Sequence, residues 1–278
     1  MRRALARRFN LYRKSFMPRI IAKPDNLDDK NSNFSQERLK LSVFLNSVPK
    51  SGTHLLKNIM RMFVPVNQQH KDDFIQFPNL KENRHAFLDK KNPVLSWGHL
   101  LFADTPSLLL KDVKHVLLVR DPYDWVLARA RFFLSENFQA NLEHLKSGRV
   151  PMDDFLNMMI FGIYNKVPTM EEIYTNNAVS WMGTSAKVLK YEDLVSHVKN
   201  LEAASSEVFF KDLLKHCGIK FPEDWKERVK IGADRSQSGT ARENLDLDNP
   251  DIPNELPETQ KRLVDYAAPG LRQLLGYN

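Results

Sequence analysis

One stretch restricts the fold more than any other: residues 41–53, LSVFLNSVPKSGT. Its first eight residues are apolar and β-prone and end at Pro49, the signature of a buried strand. A lysine, two hydroxyls and a glycine follow. HLLKNIMRMF then continues as a helical pattern from Thr53 to about Phe63, before Pro65 stops it. Strand, tight loop and helix open an α/β unit. The same grammar returns twice. Residues 113–119 (VKHVLLV) lead through Arg120-Asp121-Pro122 into a helix near 123–134, and 186–190 (AKVLK) lead through YEDL into another. Further helices fit residues 153–164, 206–217 and 257–275. Strands alternating with helices predict a three-layer α/β/α core around a mostly parallel sheet, covered on both faces. Residues 232–256, rich in Arg, Asp, Asn and Ser, read as one long loop that closes over a ligand.

A chain of 278 residues, 42% of them apolar, buries roughly three quarters of its unfolded surface and is not of a disordered composition. The single Cys217 excludes an internal disulfide, and no CxxC pair or clustered Cys/His spacing offers a structural zinc site. A reducing, cytoplasmic compartment is the expectation. No run of about 18 apolar residues is present to span a membrane. The formal charge of +7 suggests a nucleic-acid or membrane partner until its distribution is read. Residues 1–19 hold seven basic residues and no acid, so the remainder sums to zero and no nucleic-acid partner is expected. Within that arm Met1, Leu5, Phe9, Tyr12 and Phe16 recur at helical spacing opposite the arginines. The pattern reads as a helix packed on its own domain, as peripheral contact of residues 1–20 with an anionic membrane, or as a transit peptide. Residues 22–40 are polar and read as a linker. The chain thus divides into an arm and linker over 1–40 and one domain over 41–278.

The loop after the first strand has the makings of an anion site. Backbone N–H groups at a helix start and the helix dipole attract a phosphate or sulfate, Gly52 lets the backbone approach it, and Lys50 supplies a mobile point charge. The alternative is an ordinary helix cap by Thr53. Because the lysine precedes the glycine, this is not the GxxxxGK[ST] loop of ATP and GTP enzymes, and the magnesium-holding role of the hydroxyl after that loop's lysine does not carry over.

The string PKSGTHLL after an apolar strand resembles the 5'-phosphosulfate-binding loop of the sulfotransferase family. Three later segments resemble that family in its order: VRDPYDWVLA its 3'-phosphate element, KVLKYEDL its strand ending in Tyr-Glu-Asp-Leu, and LRQLLGYN its closing helix. The resemblance covers residues 41–278. It implies in-line transfer of a sulfuryl group from 3'-phosphoadenosine 5'-phosphosulfate (PAPS) to an acceptor hydroxyl or amine, leaving adenosine 3',5'-bisphosphate (PAP), with no metal required. It also implies a P-loop-like phosphosulfate loop, with Lys50 at the leaving oxygen and Ser51, Gly52, Thr53 and His54 cradling the 5'-phosphate and sulfate. Arg120 matches the 3'-phosphate arginine, whose fork suits two phosphate oxygens. Tyr191 matches an adenine contact or packs at the sheet edge.

An attacking hydroxyl must lose its proton, a task suited to histidine. Of eight histidines, His99 in LSWGHL resembles the family's catalytic histidine, while His115 inside an apolar strand reads as structural. The departures are specific. Ala128 stands where the family has a 3'-phosphate serine, Leu55 where it has an adenine-stacking tryptophan, and Trp97 where many members have a lysine. The late glycine-rich element survives only as Arg235, Gly239 and Arg242. Arg129 or the late loop would compensate for the missing serine, and Trp97 would line the acceptor pocket. Acceptor specificity falls to the Phe/Leu/Met-rich segments 74–88 and 132–163. The acceptor classes are a small molecule, a glycan or a lipid-linked molecule. Competing readings are a P-loop-type small-molecule kinase and a non-catalytic module that holds a nucleotide or anionic lipid.

Overall fold

Five strands build the central sheet: β1 Val43–Ser47, β2 Ile75–Gln76, β3 Leu95–His99, β4 Lys114–Val119 and β5 Lys187–Lys190. The computed structural model describes residues 19–21, 24–140, 142–146, 148–239, 241–247 and 251–278. The basic stripe of residues 1–18 lies outside them. The strand order is β2-β3-β1-β4-β5 and every pairing in it is parallel. Arg19–Ile20 forms a separate two-residue antiparallel ladder with Phe138–Gln139. Helices of eight residues or more are α1 Thr53–Arg61, α2 Pro122–Leu134, α3 Met152–Phe161, α4 Met170–Asn177, α5 Tyr191–Lys199, α6 Ala204–His216, α7 Trp225–Gly232 and α8 Glu258–Ala267.

β1 and β4 read as continuous apolar runs because both faces of the sheet are covered. Along β1 the side chains alternate between two cores, and β4 does the same. Phe44, Leu117 and Val119 join Trp125 and Leu127 of α2, Phe155 of α3 and Tyr174 of α4 on one face. Val43, Leu45, Val116 and Leu118 join Leu56 and Ile59 of α1, Phe210 of α6 and Val229 of α7 on the other. This is the expected three-layer core, with a sheet that is wholly parallel. At its edge β2 lies so close to β3 that a Cβ on Gly98 would stand 1.8 Å from the carbonyl oxygen of Ile75.

Two segments differ from their sequence reading. The helix expected over 257–275 breaks at Ala268 (φ −142) and resumes as the short turn Leu271–Leu274; Pro269 has no N–H to continue the ladder. The polar stretch 22–40 does not hang as a linker in its described part. Residues Leu27–Asn31 form a helical turn whose Leu27 is fully buried. The guanidinium of Arg61 in α1 clamps the turn with bonds of 2.8 Å to both Asp25 and Asp28. No helix among the described residues is long and apolar enough to cross a membrane.

Candidate functional site

The carboxyl ends of β1, β3, β4 and β5 all point to one side, and the chain passes from β1 to β2 and β3 on one flank before it crosses to β4 and β5 on the other. Parallel sheets place ligands at such a reversal. A cavity of about 320 Å³ opens there, bordered by the loop after β1, the ends of β4 and β5, α2, and the segment after α7. Of the residues singled out in the sequence, it brings together Lys50, Gly52, Thr53, His54, Arg120, Tyr191, Arg235 and Arg242. Ser51 is buried between its neighbours, Gly239 is buried outside the lining, and His99 stands behind the loop rather than in the lining.

The loop owes its shape to two left-handed residues, Lys50 (φ 69) and Gly52 (φ 92). At Gly52 an added Cβ would stand 2.3 Å from Cδ2 of Tyr191, so any side chain there must displace that ring. The first helical bonds of α1 run from Leu55 N and Leu56 N to Gly52 O. The N–H groups of Gly52, Thr53 and His54 therefore precede the ladder, as at any helix start that receives an anion. Trp125 fixes the loop from behind by donating its indole N–H to the Pro49 carbonyl.

The side chains add a concentration of positive charge. Lys50 Nζ sits over the ring of Phe132, 3.1 Å from its centroid. Burial lowers its pKa to about 7. Arg120 lies on the ring of Tyr191 at 4.6 Å, and its Nε is buried without a hydrogen-bond partner. Asp121, its neighbour, is engaged elsewhere: it caps α2 through Tyr123 N and pairs with Arg272. Arg131 completes the group; its pKa is lowered first by burial and then by the charges of Arg242 and Arg120. Asp234 is the one acid of the described lining. Ser51 Oγ and Asn58 Oδ1 are also buried without a partner.

His99 is held by its Nδ1, 3.0 Å from both the carbonyl oxygen and the hydroxyl of Ser47. A carbonyl oxygen only accepts, so Nδ1 carries the proton and Nε2 keeps the lone pair. The Ser47 hydroxyl in turn lies 2.6 Å from that of Thr53, which joins His99 to the loop. Burial, together with the charge on Lys50, lowers the imidazole pKa to about 4 against the raising effect of the Ser47 bond, so the ring is neutral at pH 7. Asn46 fixes the next residue by bonding both N–H and C=O of Leu100. The ring of Phe74 packs against His99 with centroids 4.8 Å apart.

Sequence reasoning missed several of these positions. Arg131, not Arg129, lines the cavity; Arg129 is buried and donates to the carbonyls of Met159 and Pro168. Trp97 is 5% exposed and packs in the core beneath Lys57 rather than lining an acceptor pocket. His115, by contrast, is buried and packed against Phe44 and Trp181, in keeping with its reading as a structural residue of an apolar strand. Glu192 ties the motifs together, accepting from Asp121 N and from the hydroxyl of Tyr277. Asn46, which fixes Leu100 after His99, was also missed, although a polar residue inside an apolar strand was a legible signal for it.

Comparison with known proteins identifies the fold and the family. The fold is similar to that of mouse sulfotransferase SULT7A1 complexed with PAP, at 16% identity and a TM-score of 0.58, over 90% of this chain and 93% of that one. It is also similar to retinol dehydratase in complex with androsterone and inactive cofactor PAP, at 13% identity and a TM-score of 0.50, over 84% and 80% of the two chains. No curated protein matches the sequence. The family model described as "Sulfotransferase domain" matches residues 40–201, more than half of the chain, and the protein belongs to the sulfotransferase family.

Proposed function

We propose that the protein transfers a sulfuryl group from PAPS to an acceptor hydroxyl or amine, with His99 as general base. The observation that carries this reading is the gathering of Lys50, Arg120, Arg131, Arg235 and Arg242 around a helix start, against one acid in the described lining. A nucleotide with phosphates at both ends fits such a lining, and the unpartnered donors on Ser51 and Arg120 have the polarity its oxygens need. Asn58 Oδ1, an unpartnered acceptor on the same wall, suits a hydroxyl or amino group of the nucleoside.

When bound, the donor supplies an activated sulfuryl group on a phosphate leaving group. The protein's part is positioning and charge. Gly52, Thr53 and His54 would hold the 5' end through their N–H groups, and Arg120 and Arg131 the 3'-phosphate. Lys50 would meet the negative charge that develops on the leaving oxygen, an anion that draws its ammonium back to the protonated state. His99 Nε2 would take the acceptor proton, its other nitrogen fixed by Ser47. Phe74 beside His99 and Phe132 beside Lys50 give the acceptor side an apolar wall and favour a hydrophobic alcohol or phenol.

Calorimetric titration with PAP in EDTA, beside ATP with magnesium, tests the donor. Binding of the bisphosphate alone supports the assignment, and preference for magnesium-ATP replaces it with a kinase. His99→Ala then tests the base: turnover falls by about 10²–10⁴-fold with bisphosphate affinity retained. Lost nucleotide binding or unchanged turnover removes that role.

A further inference from the structure

Outside the cavity, the segment between α1 and β3 brings His70, Asp72 and His85 together. One ligand atom from each lies within 4.8 Å of the others. Fourteen residues of chain separate the two histidines, and the fold closes that distance. The backbone N–H of His70 is anchored to β3 by a 2.9 Å bond to Leu95 O. Asn79 pins the intervening turn, accepting from Gln76 N and donating to Phe74 O.

The surrounding bonds fix which ring nitrogens are available. Asn83 is buried, and its Nδ2 donates to the carboxylate of Asp73 and the carbonyl of Asn79. Its Oδ1 therefore faces His70 Nε2 at 2.8 Å, and that nitrogen must donate. The lone pair of His70 is left on Nδ1. His85 Nδ1 lies 3.2 Å from the carbonyl of Glu82, which likewise leaves the lone pair on Nε2. Each imidazole thus donates one N–H to an oxygen and keeps the other nitrogen bare, the arrangement that outer-sphere partners impose on metal-ligating histidines.

We propose that His70, Asp72 and His85 form a binding site for zinc or a similar borderline transition metal, with water completing the coordination. Two imidazoles and one carboxylate suit zinc and disfavour magnesium or calcium. The inference is independent of the transfer reaction: none of the three lines the anion cavity. Its consequence reaches that site indirectly. Phe74 lies between the ligands in sequence and packs on both His99 and His54, so the metal braces the wall beside the base.

The test uses the full chain without a histidine tag, titrated with Zn²⁺ against a chromophoric chelator and with Co²⁺ for its visible absorption. One equivalent binds the wild type, and millimolar Mg²⁺ or Ca²⁺ does not compete. His85→Ala and Asp72→Asn, both at exposed positions, lose about 10-fold or more in affinity, and Asn83→Leu loses on the order of 10–100-fold through the freed His70 ring. Zn²⁺ raises the melting temperature of the wild type and not that of His85→Ala. Absent saturable binding, or equal binding by wild type and His85→Ala, overturns the proposal.

Discussion

Replacing Gly52 by alanine tests the geometry of the anion loop at its tightest point. Gly52 has φ 92, and an added Cβ would stand 2.3 Å from Cδ2 and 2.5 Å from Cε2 of Tyr191. Carbon atoms in ordinary contact lie about 3.5–4.0 Å apart, so the ring must retreat by more than about 1 Å. It is a side chain at the edge of the cavity, and it can move. The left-handed alanine costs roughly 1–2 kcal/mol in folding, which a melting curve measures. The larger effect is on the ligand. Tyr191 underlies the guanidinium of Arg120 at 4.6 Å, and a displacement of about 1 Å in a positioning group can cost about 10²-fold. Calorimetry with PAP should show a loss of that order in Gly52→Ala, while the protein remains folded. In a Tyr191→Ala background the same substitution should cost only the backbone strain, because the clash is gone. Wild-type affinity in Gly52→Ala, or full additivity of the two changes, would refute the claim that Gly52 is fixed by the ring it faces.

Three further outcomes are expected. Since burial lowers the Lys50 pKa to about 7 and an anionic ligand favours the charged form, bisphosphate binding should take up a proton and weaken as pH rises above 7; calorimetry in buffers of different ionisation enthalpy checks this, and Lys50→Met should abolish the uptake. Arg131→Ala should weaken bisphosphate binding about 10–100-fold with little change in melting, whereas Arg129→Ala should lower the melting temperature, because Arg129 satisfies two buried carbonyls. Burial, with a smaller effect of His216, lowers the His115 pKa to about 3 against 6.5 in the unfolded chain. Between those values the unfolded state binds the extra proton, so stability falls with falling pH by up to about 1.4 kcal/mol per unit, and His115→Phe should move the acid-unfolding midpoint to lower pH.

The three strand–loop–helix units were legible because continuous apolar runs ending at a proline or a charge leave little choice of structure, as at 41–53. The order of the four family-like segments then placed Lys50, Arg120 and Tyr191 on one cavity. What stayed hidden depends on faces and on distant partners. Arg129 and Arg131 sit two residues apart on α2, about 200° around the helix. Which one meets the core is decided by α3 and by the segment after it, where Met159 and Pro168 offer their carbonyls. The stretch 24–40 reads as a linker by composition, yet its Asp25 and Asp28 meet Arg61 in α1, more than thirty positions on. Cysteine spacing excludes a zinc finger, but it says nothing of His70 and His85, which only the turn before β3 brings together.

Features that cost stability are concentrated at one end of this sheet. Lys50 is one of two described non-glycine residues with positive φ. Of the four described buried side-chain atoms without a partner, Asn58 Oδ1 and Arg120 Nε belong to residues lining the cavity and Ser51 Oγ to the loop beside it, and each such group costs about 1–3 kcal/mol. Arg131 is crowded by Arg242 and Arg120 with too little acid to balance them. A chain shaped only by its core would scatter such costs or remove them. Their coincidence around one helix start is accounted for by a ligand that brings acceptor oxygens and negative charge, because binding to the native state alone offsets the repulsion and the unmade bonds together. The neutral His99 is tied through Ser47 to Thr53, so the hydroxyl that contacts the loop at the helix start also fixes this imidazole.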